Sequence, residues 1–159
     1  MADTQSALRQ HVLYLLEGGG AHVKFQDAIA GLAPKLRGVK PDKLDVTPWA
    51  VFEHMRLAQA DILEFCLNRD YREKAFPADY WPTPDAPPDP RAWDKSVKRF
   101  EADLNAMCAL VRNPRTDLFA KIPWGDGQTY LREALLVADH NAYHLGQMIT
   151  VRRLLGAWK

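Results

Sequence analysis

The sequence predicts an all-α domain, a four-helix bundle with a long proline-rich crossover between its second and third long helices. Three observations carry this expectation. Apolar residues recur at three- and four-residue steps over four long stretches, no segment alternates convincingly at the strand period, and six of the eleven prolines fall within residues 77–90. The whole chain, 1–159, reads as a single domain. Its length suits one core, and 47% hydrophobic with 26% charged residues lies in the ordinary globular range.

The first long helix is expected over Ser6–Leu16, where Leu8, Val12, Leu15 and Leu16 share a face. The run Gly18-Gly19-Gly20 breaks it, because glycine accepts left-handed geometry without steric cost, and a second helical piece is expected from His22 to Leu32. Residues 34–46, rich in Lys, Gly, Pro and Asp, form a connection. The second long helix runs from Pro48 to Leu67 behind Thr47, a good N-cap followed by proline at the first helical position. The stretch FPADYWPTPDAPPDP then forbids regular helix and reads as a stiff, extended crossover.

The third long helix is expected from about Arg91 to Val111, with Trp93, Val97, Phe100, Leu104, Met107, Cys108 and Val111 on its inner side and Asn113-Pro114 as its stop. A loop with Gly125, Asp126 and Gly127 leads into the fourth, from near Thr129 to about Leu155.

Charge and cysteine usage narrow the function classes. Twenty-one Lys and Arg balance twenty Asp and Glu, so no positive field draws the chain to nucleic acid or to an anionic membrane surface. No apolar stretch reads as a membrane span, and the first residues lack the basic start, apolar run and small-residue site of a signal peptide. Cys66 and Cys108 stand apart without CxxC spacing and read as buried apolar residues. These features point to the cytoplasm and to a small-molecule substrate as partner.

The fourth helix carries DHNAYHLGQ, which sets His140 and His144 one turn apart on one face, so that both rings can reach one ion. Such a pair also arises by chance. Its surroundings strengthen it: the helical wheel places Leu136, Val137 and Val151 on that stripe together with Glu133, Tyr143 and Gln147. Buried polar groups left unpaired cost about 1–3 kcal/mol each, and a metal with its surrounding hydrogen bonds satisfies them.

His54 supplies a third ligand from the second long helix, on a face with Ala50, Leu57, Ala58, Ile62 and Phe65, and Asp61 shares that face. A single histidine on an apolar face is ordinarily a hydrogen-bonded core residue. Three of them on two facing helices, with polar neighbours, point to one divalent transition metal with a position open to water or substrate. Asp61, Glu133 and Gln147 are expected to orient the imidazoles or move a proton. His22, just after the glycine run, is a candidate either for lining the site or for a capping or loop role. Trp81 in the crossover is expected to wall the metal cleft or else plug the bundle. Trp124 reads as sealing the bundle end, Trp49 and Trp93 as core, and His11 as exposed.

These motifs resemble the DinB-like superfamily of metal-binding four-helix proteins. The resemblance covers nearly the whole chain and rests on GGGAH, WAVFEHMRLAQADILEF, DYWP, and REALLVADHNAYHLGQ followed by RRLLGAW. It implies an up-down-down-up bundle and a metal site built from His54, His140 and His144. It further implies nickel, zinc or iron as the metal, frequent homodimers, and in some relatives thiol transfer or isomerisation with a low-molecular-weight thiol as cosubstrate. From the residues alone, two readings stand: a metal-dependent enzyme activating water or a thiol, and a non-catalytic small-ligand-binding module whose metal is structural or absent.

Overall fold

The computed structural model describes residues 2–158, of which residues 2 and 3 are described in backbone only. Among the described residues the fold is all-α, with five α-helices, no strand, and one isolated antiparallel bridge between Lys121 and Thr129. The helices are α1 (Ala2–Leu16), the short α2 (Phe25–Ile29), α3 (Pro48–Leu67), α4 (Ala92–Arg112) and α5 (Tyr130–Leu154). The ends of α3, α4 and α5 fall within a residue of the sequence expectation. The helical piece expected over 22–32 shrinks to α2, since Leu32 is followed by Ala33-Pro34 and residues 34–36 form only a 3₁₀ turn.

The helix ends follow local chemistry. Thr47 caps α3, its Oγ1 accepting from the Ala50 N–H at 3.0 Å, and Thr129 caps α5 by accepting from the Arg132 N–H at 3.2 Å. α1 ends in a Schellman turn: Gly18, at φ +76°, donates to Leu15 O, and Gly19 donates to Tyr14 O. Gly156, at φ +65°, closes α5 in the same manner. Two arginines satisfy carbonyls at helix ends and in the turns just beyond them. Arg9 donates to Val111 O and Thr116 O at 2.6 Å each, and the buried Arg152 donates to Ala28 O and Ala30 O.

α3 packs against both α4 and α5, and α1 packs against the same two helices. Two apolar clusters fill the interior. One gathers Phe25, Trp49, Phe52, Trp93, Phe100 and Met148; the other gathers Val12, Leu63, Cys66, Met107, Leu118 and Val137. Trp49 and Trp93 are thus core residues, and Cys66 and Cys108 are buried free thiols, as expected. Between the clusters lies a polar layer that the sequence does not announce. Gln59 of α3 is 1% exposed; its Nε2 donates to Phe100 O of α4 and its Oε1 accepts from Asn141 Nδ2 of α5, both at 2.8 Å. One carboxamide therefore ties three helices, and its burial is tolerable only because both ends are bonded.

The crossover, residues 68–91, is held at both ends. Thr47 Oγ1 donates to Asp85 O at 2.5 Å while capping α3, and Tyr71 and Tyr80 reach back to Asp61. Thr47→Ala removes both roles of one hydroxyl. We expect a loss of about 1–2 kcal/mol and a melting temperature lower by roughly 2–8 °C, with Thr47→Ser recovering most of it. A Thr47→Ala protein that melts with the wild type shows that the cap and the crossover anchor contribute nothing.

Candidate metal centre

α3 and α5 bring His54, His140 and His144 together, with one ring nitrogen from each lying within 4.8 Å of the others. The ring centroids are 5.0 Å (His54 to His140), 4.5 Å (His54 to His144) and 4.4 Å (His140 to His144) apart. His54 and His144 are buried and His140 is half-buried.

Hydrogen bonds at the far side of two rings fix which nitrogen is free. His54 Nδ1 lies 2.8 Å from Tyr80 O, and a carbonyl only accepts, so Nδ1 carries the proton and Nε2 presents its lone pair. His144 Nδ1 donates to Gln147 Oε1 at 2.8 Å and likewise leaves Nε2 free. His140 Nε2 lies 3.2 Å from His54 Nε2, and its Nδ1 is buried without a partner. With His54 in its Nδ1–H form, the neutral pair keeps its shared proton on His140 Nε2. For all three Nε2 atoms to serve as ligands, that proton moves to His140 Nδ1.

The donor set fits a divalent transition ion. Three neutral imidazoles converge on one region: His54 and His144 present Nε2 lone pairs and carry the outer hydrogen bonds that metal-binding histidines ordinarily have, and His140 joins them once its proton moves to Nδ1. Their neutrality follows from burial, which lowers all three pKa values. His140 falls to about 4, through desolvation first and then His144 and His54. Desolvation also lowers His54 and His144, opposed by the bonds to Tyr80 and Gln147 respectively.

The other expected residues separate. Gln147 touches the site through His144. Trp81 stacks on His54 at 4.0 Å and 3° between planes, so it covers one imidazole face. Trp81 is absent from the lining of the cavity beside His54 and His140, whereas Tyr80 does line it. Asp61 bonds no imidazole: its carboxylate accepts from Tyr80 Oη at 2.6 Å and from Tyr71 Oη at 3.2 Å and pairs with Lys74 at 3.3 Å. It acts on His54 only through Tyr80, by holding the residue whose carbonyl orients the ring. Glu133 is buried and paired with Arg132 at 2.5 Å, again without an imidazole partner. Tyr143 is 72% exposed rather than inward, and reaches His144 only ring edge to ring at 4.9 Å. His22 is exposed, faces Val23 O, and lines a different cleft beside α1 and α4. His11 is exposed, as expected.

A cavity of about 620 Å³ opens beside His54 and His140. Ala58, Ile62 and Leu136 form its apolar floor, and Trp124 stands in its wall, with Nε1 donating to Phe65 O at 2.7 Å. Trp124 is therefore a cavity residue. Cys66 lies behind this wall among buried side chains, and burial with the nearby Glu133 pushes its thiol up to about 12, which keeps it protonated and inert.

The lowered imidazole pKa values set a pH dependence. In metal-free protein the unfolded histidines bind protons below about pH 6.5, whereas folded His140 resists protonation to about 4. The unfolded state thus holds more protons in that window, and stability falls as pH drops through it. Urea unfolding of chelator-treated protein should show a falling midpoint from about pH 7 to about pH 5, with a shallower slope in His140→Asn. A midpoint that stays flat or rises over this range contradicts buried, neutral imidazoles.

Comparison of the chain with protein-family models, with curated proteins and with solved structures returns no match in any of the three.

Proposed function

We propose that the chain is a metal-dependent enzyme of the DinB-like kind, an up-down-down-up four-helix bundle acting in the reducing cytoplasm. In this reading His54, His140 and His144 hold one nickel, zinc or iron ion. The observation that carries it is the convergence of three imidazoles, two of them with Nε2 left free once Tyr80 O and Gln147 Oε1 have engaged their Nδ1 atoms and the third able to free Nε2 by moving its proton to Nδ1. Such an ion, when bound, lowers the pKa of a water or a low-molecular-weight thiol to supply an anionic nucleophile.

The protein's own groups do the rest. Tyr80 and Gln147 hold two ring orientations, Trp81 shields a face of His54 from water, and the adjoining cavity offers an electrophile a place beside the histidines. Thiol transfer is preferred to hydrolysis on the strength of the family resemblance. The pairing of Asp61 with two phenols and Lys74 favours the other reading, a ligand-binding module, because it leaves no free carboxylate in contact with the imidazoles to move a proton.

Elemental mass spectrometry of tag-free protein tests the metal first. We expect about one transition ion per chain, lost in His54→Ala, His140→Ala and His144→Ala and kept in His11→Ala. Gln147→Ala should weaken metal binding by an intermediate factor of about 10–100, read by competition with a chromogenic chelator. Equal metal content in wild type and all three ligand variants refutes the site. A metal-dependent rate with a thiol and an electrophile then supports the enzyme, and ligand binding that survives loss of all three histidines supports the module.

A further inference from the structure

We infer that the cavity beside the histidines receives an organic ammonium cation seated on Glu133, with a hydrocarbon portion reaching along the cavity toward His54 and His140. The ligand's direction rests on the metal reading; the cation seat does not.

Glu133 is the first observation. The residue is 2% exposed and lines the cavity, and its Oε1 accepts from Arg132 Nη1, while Oε2 takes no hydrogen bond from any described residue. A nearly buried carboxylate whose open oxygen faces a cavity offers a cation a seat with little competing solvation. Arg132 does not fill this role, because its side chain is 58% exposed at the mouth and bonds the other oxygen.

The second observation is aromatic. Phe65, Tyr71, Phe76, Tyr80 and Trp124 line the same cavity. Phe65 and Tyr71 meet edge to face, at 5.1 Å and 70°, so the wall presents a corner rather than a flat stack. The negative faces of such rings attract alkylammonium groups, most strongly where water is excluded. Both tyrosine hydroxyls are committed as donors to Asp61, which leaves their rings to act as surface.

Charge and spacing define the ligand class. Glu73 and Asp126 stand exposed at the rim, Asp61 is offset by Lys74, and the one guanidinium in the lining is already on Glu133. An anion entering here meets carboxylates; a cation is drawn in. Glu133 and His140 lie seven residues apart on α5, about 10 Å of rise. Leu136 lies between them, with Ala58 and Ile62 also lining the space. The ligand is therefore an alkyl- or arylalkylammonium compound whose reacting end lies about two helical turns from its nitrogen.

Isothermal titration calorimetry of the full chain with hexylammonium, hexanol and hexanoate tests this, on zinc-loaded and chelator-stripped protein. We expect hexylammonium to bind at least about tenfold more tightly than hexanol, with hexanoate weakest and the ammonium preference shrinking as salt rises. Glu133→Gln should bring hexylammonium down to the affinity of hexanol. Trp124→Leu, at a less buried position, should weaken hexylammonium more than hexanol and serves if Glu133→Gln fails to fold. Equal binding of hexylammonium and hexanol, tighter binding of hexanoate, no binding of any probe, or an unchanged preference in a folded Glu133→Gln protein each overturns the inference. Metal content measured on the same samples separates the two readings. An ammonium preference in protein that never holds metal removes the metal centre and leaves this seat, whereas loaded protein without the preference removes this seat alone.

Discussion

Tyr80 is the residue on which the candidate site depends, because it holds the crossover and the second long helix to each other through two different atoms. Its carbonyl accepts the Nδ1 proton of His54 and its hydroxyl binds Asp61, seven residues further along the same helix. A buried imidazole N–H without an acceptor is costly, so the crossover has to be in place for His54 to present Nε2. Proline restriction on either side of Tyr80, at Pro77 and Pro82, reduces what is lost in ordering that segment. The carboxylate, phenol, carbonyl and imidazole form one chain of dependence.

The polar layer formed by Gln59, Phe100 O and Asn141 has a related role in setting register. Apolar surfaces slide over one another at modest cost, but sliding α3 against α5 by one turn, about 5.4 Å, separates Gln59 from Asn141 and strands two buried carboxamides. The same slide pulls His54 away from His140 and His144, whose ring nitrogens tolerate no such displacement if one ion is to join them. Gln59 lies five residues after His54, and Asn141 immediately after His140. The bond that fixes helix register thus lies within two turns of the groups that need it fixed.

Local signals made much of this legible. Thr47-Pro48, Thr129 and the glycine run mark helix ends by chemistry confined to a few residues, and the structure uses those caps. The histidine trio was legible because a four-residue spacing and an apolar face determine where a ring points on its own helix. What a wheel does not contain is the element standing opposite. Tyr143 lies one residue from His144, and this rotates its side chain about 100° away from the interior. Asp61 was read as a partner for imidazole because it shares the face of His54, yet Tyr71, Lys74 and Tyr80 arrive from the crossover and engage it first. Trp124 acquires its place from a bond to Phe65 O, 59 positions away. Contacts of that kind depend on how a loop returns, and no periodic pattern encodes them.

Asp61 and Glu133 show how two copies of one functional group are given different work. Each lies seven residues from a histidine of the trio, each is buried, and both line the same cavity. Asp61 is surrounded by two phenol donors and an ammonium, and burial first, then Asp61, raises the pKa of both tyrosines, Tyr71 to about 12, so the donors stay protonated across the physiological range. Its capacity as an acceptor is spent on the crossover. Glu133 has one guanidinium, from the residue beside it, and one oxygen left over. A protein interior rarely leaves a carboxylate oxygen unmatched where a nearby phenol or amide could have turned to meet it. Phe65 and Trp124, which line the same cavity, offer π faces and an indole N–H already given to a carbonyl, so neither competes for that oxygen.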